Sequence, residues 1–522
     1  MHEVRDEILA TAGGILKVIG GALFVPIVGA IAFGEYMAII SFFACAFASI
    51  AIGVLINRRF PMKDKLSIEA TIIIAPMAWI LVSAVGAVPY SLILGSSPID
   101  AFFESMSGFT TTGMTLLTGL EALPKGLLLW RSLTQWIGGA GVILLFAVFL
   151  RGGISTWRLY SLEGREEKFT PSIGTTIRSI WVTYMAMTAI CAALLFLCGM
   201  SPFDAVNHSL TALSTGGFST RTDSIAAFAN PLVEFVLAVF MTLAAINFAL
   251  YYNLFKLNIR RVIGDVESKT LIIIIIIAGA LVALMLGLGC STIAPTISNS
   301  YFNVISIVTT TGYTSTDLLV WPLAAQVLLL ILMLLGGSAG STAGGIKIWR
   351  AIVLYKIGKR EVERISLPPS AIRPVKIGGK ILDEGYIMKV GAFFFVYIMA
   401  VLIQFLILSI NIHDPWGALS LVVSAQSNVG PAYYSMADLD NLSKSVLVFG
   451  MWFGRLELFS VLALFSRGLP AFVKEAYLEN RKEKANNSSQ SGKIAEACSP
   501  CFQGSDKWQS LMPRARVIVG RE

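Results

Sequence analysis

Charge is scarce in this chain. Asp, Glu, Lys and Arg make up 14% of its 522 residues, against 55% hydrophobic residues. The mean hydropathy of +0.74 implies more apolar surface than a soluble core can hide. A water-soluble globular protein is therefore excluded, and the chain belongs in a bilayer. Histidine is rarer still, three in all. His208 and His413 stand alone, with no metal-binding or catalytic constellation around them, so enzyme chemistry is not expected. The six cysteines form no disulfide pattern. Cys45, Cys191, Cys198 and Cys290 lie in apolar runs, as small core residues do. Cys498-Ser499-Pro500-Cys501 is a lone pair in a polar tail, without the second pair or nearby histidine that a zinc site needs. No covalently bound cofactor is expected. From about Asn480 the Ser/Asn/Lys-rich composition reads as a disordered tail.

What the chain has in abundance is long apolar runs. Ten of them reach or approach the roughly 20 residues needed to span a bilayer, near residues 8–33, 38–57, 67–95, 126–150, 176–199, 230–256, 268–290, 320–335, 386–411 and 445–466. The first is too long for a signal peptide and lacks a small-residue cleavage site, so it reads as a retained helix. The net charge of +8 follows topology rather than nucleic-acid binding. Arg58, Arg59, Lys63 and Lys65 follow the second run; Arg151, Arg158, Arg165 and Lys168 follow the fourth; Lys256, Arg260 and Arg261 follow the sixth. Ten more basic residues lie between Lys347 and Lys389. These loops fall on one side, which the positive-inside rule makes cytoplasmic, with both termini there too. Acidic residues collect on the other side, among them Asp100, Glu104, Glu121, Asp204, Asp317, Asp414 and Asp440, where they would raise the local cation concentration.

Four elements on that outer side share a pattern: Thr111-Thr112-Gly113-Met114, Thr215-Gly216-Gly217-Phe218, Thr310-Thr311-Gly312-Tyr313 and Asn428-Val429-Gly430-Pro431. Their glycines are spaced 104, 95 and 118 residues apart. One such tetrapeptide is a turn; four at one topological depth imply four copies of a unit around an axis. Upstream, Ser97-Pro98-Ile99-Asp100-Ala101 matches Ser201-Pro202-Phe203-Asp204-Ala205, each aspartate thirteen residues before its glycine. Pro415 and Ala418 repeat the offset in the fourth copy, whereas the third, beginning near Ser298 to Tyr301, lacks the proline. Proline suits the start of a helix, and a segment this short must enter and return as a re-entrant half-helix. Backbone that unwinds at membrane depth is tolerated where it lines a wet cavity.

The fold expected is an all-α polytopic membrane protein: two N-terminal helices (1–66), then four M1–pore loop–M2 repeats around a pseudo-four-fold pore. The repeats cover 67–175, 176–267, 268–385 (with a glycine-rich interruption and the basic segment) and 386–479, and a polar tail occupies 480–522.

Around these elements the chain resembles the Trk/Ktr/HKT superfamily of potassium transporters, most closely its bacterial TrkH/TrkG membrane-subunit branch. The resemblance runs from about residue 8 to 470. It rests on Ser107 to Gly113, on Trp130-Arg131-Ser132-Leu133-Thr134-Gln135-Trp136-Ile137-Gly138-Gly139, on Ser214 to Thr220 and on Thr309 to Tyr313. Gly340-Ser341-Thr342-Ala343-Gly344-Gly345 and Gly454-Arg455-Leu456-Glu457 complete it. It implies potassium uptake across the bacterial inner membrane, a homodimer, and a cytosolic TrkA-type partner forming a nucleotide-binding ring.

The candidate site follows. Gly113, Gly217, Gly312 and Gly430 are the expected narrowest ring, because glycine lets successive carbonyls point inward at low steric cost. With Thr111, Thr112, Thr215, Gly216, Thr310, Thr311, Asn428 and Val429 they form a selectivity filter whose backbone oxygens replace the water around a potassium ion. One glycine per wall, rather than a Gly-Tyr-Gly pair, predicts weaker ion discrimination than in tetrameric potassium channels. Asn428 and Pro431 make the fourth wall distinct. Arg455, in the middle of the last apolar run, is costly there and should face a carboxylate or a pore, where its charge would repel cations and make it part of the gate; Glu457 lies on a different helix face. Gly336, Gly337, Gly340, Gly344 and Gly345 should open a helix into an intramembrane gate. The segment is not a phosphate loop, since Ile346 separates Gly345 from Lys347. The reading is a passive potassium pore; the rivals are coupling of potassium to sodium or protons, and a non-conducting scaffold for a cytosolic partner.

Overall fold

A computed structural model of the chain describes residues 2–62, 66–141, 173–255, 258, 264–287, 293–366, 368, 373–456, 461–462 and 464. Lys63, Lys65, Arg151, Arg158, Arg165, Lys168, Lys256, Arg260, Arg261, Cys290, Glu457, Cys498, Cys501 and the tail from 480 lie outside these residues.

Among the described residues, six helices are long and apolar enough to cross a membrane. Two precede the repeats: the continuous span of α1 (His2–Ala22) and α2 (Phe24–Ala32), then α3 (Tyr36–Arg59). The other four open the repeats: α4 (Ile68–Leu94), α7 (Ile173–Leu197), α11 (Val266–Gly287) and α15 (Glu384–Leu408). The N-terminal pair packs backbone to backbone, since a Cβ on Gly13 would sit 3.0 Å from the Gly53 carbonyl oxygen. Small residues at such a crossing are how helices associate without a hydrophobic driving force. Two carboxylates then tie the pair to the first repeat by capping helix N-termini. Glu7 accepts from the Ser67 N–H and hydroxyl at the start of α4, both at 2.8 Å. Glu35 accepts from the Lys125 and Gly126 N–H groups at the start of α6 (Lys125–Ala140).

Each repeat continues with a short helix: α5 (Pro98–Phe109), α8 (Pro202–Leu213), α12 (Ile293–Val308) and α16 (Pro415–Ser427). The Ser-Pro-x-Asp signature acts as a cap. Ser97 and Ser201 accept the Asp100 and Asp204 N–H groups at 3.2 and 3.0 Å, and Asp414 accepts Trp416 N–H at 3.1 Å. The third short helix departs from expectation. It begins at Ile293 rather than near Ser298 and is 16 residues long, so Pro295 falls in its first turn.

The closing helices, α6, α9 (Pro231–Ala244), α13 (Leu323–Leu335) and α17 (Asn441–Arg455), are only 16, 14, 13 and 15 residues long. At 1.5 Å per residue none reaches across a core of about 30 Å. This corrects the expectation that the runs near 126–150, 230–256 and 445–466 cross uninterrupted. A break foreseen in the third repeat occurs in all four, and the run 230–256 turns by 96° between α9 and α10 (Phe248–Phe255). Hydropathy cannot register these ends because the chain stays apolar through them. Packing creates them: a Cβ on Gly138 would collide with the carbonyl of Phe109, and one on Gly454 with that of Gln426, at the ends of α5 and α16.

Beyond the third break, α14 (Ile348–Arg364) and the two-residue antiparallel strands β1 (Lys376–Ile377) and β2 (Lys380–Ile381) pack through Val353, Val375 and Ile377 onto Ile387 and Val390 of α15. This ordered base carries the basic segment.

Candidate functional site

All four short helices end in the same reversal. The residues after the helix, Thr111, Thr215, Thr310 and Asn428, have φ of 54°, 50°, 56° and 55°. Each is followed by an N–H that reaches back to the helix, in the bond pattern of a Schellman cap. Thr112 N–H meets Ser107 O at 2.9 Å, Gly216 N–H meets Thr211 O at 2.9 Å, Thr311 N–H meets Ser306 O at 2.9 Å, and Val429 N–H meets Ser424 O at 3.0 Å. Left-handed backbone costs a β-branched residue about 1–2 kcal/mol, and strain of this kind gathers at functional sites. Asn428, in the fourth wall, is a residue that tolerates this conformation.

Two residues further on, Gly113, Gly217, Gly312 and Gly430 also have positive φ, at 82°, 77°, 86° and 110°. Their surroundings close a circle. A Cβ on Gly113 would strike the carbonyl oxygen of Gly216, one on Gly217 that of Thr311, one on Gly312 that of Val429, and one on Gly430 that of Thr112. Each glycine thus abuts the carbonyl of the next wall in the order first, second, third, fourth, first. A cavity of about 280 Å³ is lined by all four glycines at once, together with the segments that follow them.

Behind the walls stand polar residues that the sequence reading did not place there. Glu104, buried, accepts from the Thr115 hydroxyl (2.8 Å) and the Leu116 N–H. At the matching position in α8, His208 bridges Asp204 O (2.8 Å) and the Ser219 hydroxyl (2.9 Å). In α12, Asn303, likewise nine residues before its glycine, donates to the Ser315 hydroxyl at 2.9 Å; in α16 that position is Leu421, and the adjacent Ser420 accepts from Tyr433 N–H at 2.8 Å. Each brace links a short helix to the segment leaving its glycine. Arg131 of α6, buried, lies 3.6 Å from Glu104, donates to Thr115 (3.0 Å) and Ser219 O (3.3 Å), and covers the Phe218 ring at 4.1 Å. Because the polar types differ from wall to wall, only alignment of the short helices to their glycines reveals the series in the first three walls, and in the fourth the brace is one residue off that register.

Several acidic residues expected to attract cations serve as structural partners. Asp100 pairs with Lys444 at 2.6 Å, and the Lys444 and Ser97 hydrogen bonds outweigh its desolvation to hold its carboxyl below the usual range. Glu121 accepts from Thr222 N–H at 2.8 Å, and Asp317 caps Leu319 at 2.9 Å.

Below the ring, the chain leaves α13 at Gly336 (φ 72°) and returns where Ile346 N–H meets Leu334 O at 3.0 Å. Gly340 and Gly345 also have positive φ, 73° each; Gly337 packs on Ala343 and Ala245, and a Cβ on Gly344 would strike Ser427 O. The loop touches the second, third and fourth repeats. Gly344 N–H donates to the Thr310 hydroxyl (2.7 Å), and the Thr342 hydroxyl bonds Leu213 O (3.1 Å) and Ala244 O (3.2 Å) and lies 3.3 Å from the Thr215 hydroxyl. Glu267 of α11 accepts Ala339 N–H at 2.7 Å. Arg455 reaches the remaining wall, donating to Thr342 O (2.9 Å) and Gly138 O (2.6 Å), with Trp79 5.6 Å from its guanidinium. It is the last residue of α17 rather than mid-helix, and these partners are carbonyls at the broken ends. Only a space of about 30 Å³ remains between Arg455, Trp79, Lys347 and the loop.

Comparison with known proteins is consistent in sequence and in fold. The model of the TrkH family, described as a cation transport protein, matches residues 38–474. The chain is 34% identical over 448 residues to the Trk system potassium uptake protein TrkH of Escherichia coli K12, covering 82% of this chain and 91% of that one. It is 32% identical over 470 residues to an uncharacterized cation transporter of Methanocaldococcus jannaschii, covering 88% and 95%. The crystal structure of the potassium transporter TrkH from Vibrio parahaemolyticus superposes with a TM-score of 0.81 at 30% identity, over 88% of this chain and 98% of that one.

Proposed function

Because the chain belongs to the TrkH family of cation transport proteins, we propose that it takes up potassium through the ring of glycine turns, with the loop beneath as its gate. The observation that carries this reading is the closed circle of four glycines, each against the next wall's carbonyl, at the floor of one cavity. Carbonyl oxygens held at such a constriction can exchange for an ion's hydration shell. Thr111, Thr112, Thr215, Gly216, Thr310, Thr311, Asn428 and Val429 supply the flanking backbone. The driving force is the membrane potential, about 2.3 kcal/mol per charge for each 100 mV.

The cavity then opens outside, and α14 with the β1–β2 hairpin faces the cytoplasm of a bacterial inner membrane, where both termini lie. This basic base is the docking surface for a TrkA-type nucleotide-binding ring, and the protein works as a homodimer. A pull on α14 acts on the loop directly, because Lys347, at its start, donates to Ala343 O. Residues 336–345 and Arg455 then move together off the axis.

Rubidium tracer flux into liposomes holding the purified protein tests the proposal. Uptake driven by a potassium-diffusion potential alone, with no sodium or proton gradient, is the expected result. Flux that requires a sodium or proton gradient replaces the passive pore by a symporter. No flux in either condition, with or without the cytosolic partner, leaves a non-conducting scaffold.

A further inference from the structure

The four walls differ at the position just before the ring glycine. It holds Thr112, Thr311 and Val429 in the first, third and fourth walls, all β-branched, but Gly216 in the second. The missing side chain is replaced in space. A Cβ on Gly216 would overlap the carboxamide of Gln135, 2.5 Å from its Oε1 and 2.9 Å from its Nε2. Gln135 belongs to α6, in the neighbouring repeat, and is fully buried. Gly138 and Gly454 occupy matching places in α6 and α17, each against the end of its own repeat's short helix, so Met451 is the counterpart of Gln135 in α17. That side chain is apolar.

The carboxamide grips the second wall on both sides of Gly217. Nε2 donates to Gly216 O at 2.6 Å, and Oε1 accepts from Phe218 N–H at 3.0 Å. Gly216 O is the same oxygen that faces Gly113 in the ring. Among the described residues, no side-chain donor reaches the corresponding oxygens of Thr112, Thr311 or Val429. Two consecutive glycines have more conformational freedom than any other pair. A planar group bonded to the peptides on either side of Gly217 removes that freedom, and a buried two-point grip leaves two unsatisfied groups when it is lost.

We propose that Gln135 is the positioning residue that sets ion specificity at the second wall: it stands in for the side chain absent at Gly216 and orients the Gly216 carbonyl toward the ring. The inference rests on the filter reading above.

The test is the rubidium-over-sodium flux ratio in liposomes. Gln135→Ala is expected to lower the ratio about tenfold, equivalent to about 1.4 kcal/mol. Gly216→Thr alone, colliding with Gln135, is expected to lower it as well, and the double variant Gln135→Ala/Gly216→Thr to recover most of the wild-type ratio. That reciprocity is something a merely structural role does not produce. Gln135→Glu, which keeps the shape but places an acceptor against Gly216 O, provides the reading if Gln135→Ala does not assemble, and it too is expected to lose discrimination. Gly312→Ser runs in parallel. A wild-type ratio in the Gln135 variants alongside a lost ratio in Gly312→Ser overturns the role of Gln135 and leaves the filter standing. A wild-type ratio in all of them overturns the filter reading, and this inference with it. No recovery in the double variant, or failure of every Gln135 variant to give monodisperse protein, also overturns the proposal.

Discussion

The glycine turns of the ring and the glycine-rich loop beneath it are both irregular backbone at bilayer depth, yet they are held in opposite ways. Each turn is fixed by its own short helix through a reversal bond at 2.9–3.0 Å and a polar brace, and the arrangement is repeated around the ring. The loop is closed by a few local bonds, such as Ile346 N–H to Leu334 O at 3.0 Å, and is otherwise held by contacts from distant parts of the chain, among them Glu267, Thr310, Leu213, Ala244 and Arg455. Local, repeated bonding makes each turn independent of the rest of the fold, whereas the loop's position depends on the repeats that anchor it. The same residue type therefore serves a locally braced geometry above and, below, the anchored segment proposed as the gate.

Perturbing the ring should change which ion passes. Gly312→Ala places a Cβ against Val429 O at a φ of 86°, and we expect the rubidium-over-sodium ratio to fall at least ~10-fold, given about 1–2 kcal/mol for left-handed backbone before any collision. Gly21→Ala is the suitable control, since a Cβ there meets nothing within 4 Å. Gly13 and Gly20 are unsuitable because they abut α3. An unchanged ratio after substitution of all four ring glycines would remove the assignment.

Perturbing the loop's anchors should instead change how much passes. Removing the charge in Arg455→Gln is expected to raise rubidium flux about fivefold, the scale of two unit charges interacting at 4 Å in water, about 1 kcal/mol. Ion preference should stay as in the wild type. Normal expression with unaltered flux would make this arginine a structural tie between the broken helix ends.

Smaller again is the expected effect of Gly344→Ala/Gly345→Ala, which crowds Ser427 O and strains a φ of 73°. Flux and its response to the cytosolic partner should shift about two- to threefold, as expected when about 0.5 kcal/mol separates the loop's states, with the ratio again constant. Should flux and response both stay normal, the segment is a fixed kink and the gate lies elsewhere.

The smallest effect on flux is expected within the ring itself. Asn428→Thr makes the fourth wall like the others but deletes the bonds from Asn428 Nδ2 to Met451 O and to the Thr112 hydroxyl, each at 2.9 Å, and puts a β-branched residue at a φ of 55°. A loss of about 3 kcal/mol in stability, read as a lower melting temperature in detergent, should accompany a near-normal flux ratio. A collapse of the ratio would mean that asparagine, not merely the backbone it permits, is required in that wall.

Much of this was legible in the sequence because its causes are local. Hydropathy marks the six long helices, Ser-Pro-x-Asp marks the caps, Thr-x-Gly marks the reversals, and the glycines after Leu335 mark the loop. The misses have a common origin. The ends of α6, α9 and α17 lie in apolar sequence; those of α6 and α17 arise where Gly138 and Gly454 meet another helix's carbonyls, and that of α9 where Ala245 O accepts Ser338 N–H from the loop, so Ala245 and Gly454 carry no signal by themselves. His208 looked isolated because its partner Ser219 lies eleven residues on, across the turn. Arg455 could be seen to need partners, but carbonyls belonging to residues 113 and 317 positions away cannot be found by spacing.

The sequence by itself determined that the chain lies in a membrane, that a two-helix preface leads into four copies of one unit, and which glycines mark the turn of each copy, because hydrophobicity, capping and left-handed backbone act over a few residues. The tertiary structure alone decided the cyclic order of the walls, the packing of the loop against three of them with Arg455 reaching the first, and the filling of the space beside Gly216 by Gln135. Those are facts about neighbours, and in a closed ring the neighbour of each wall lies on another repeat, far along the chain.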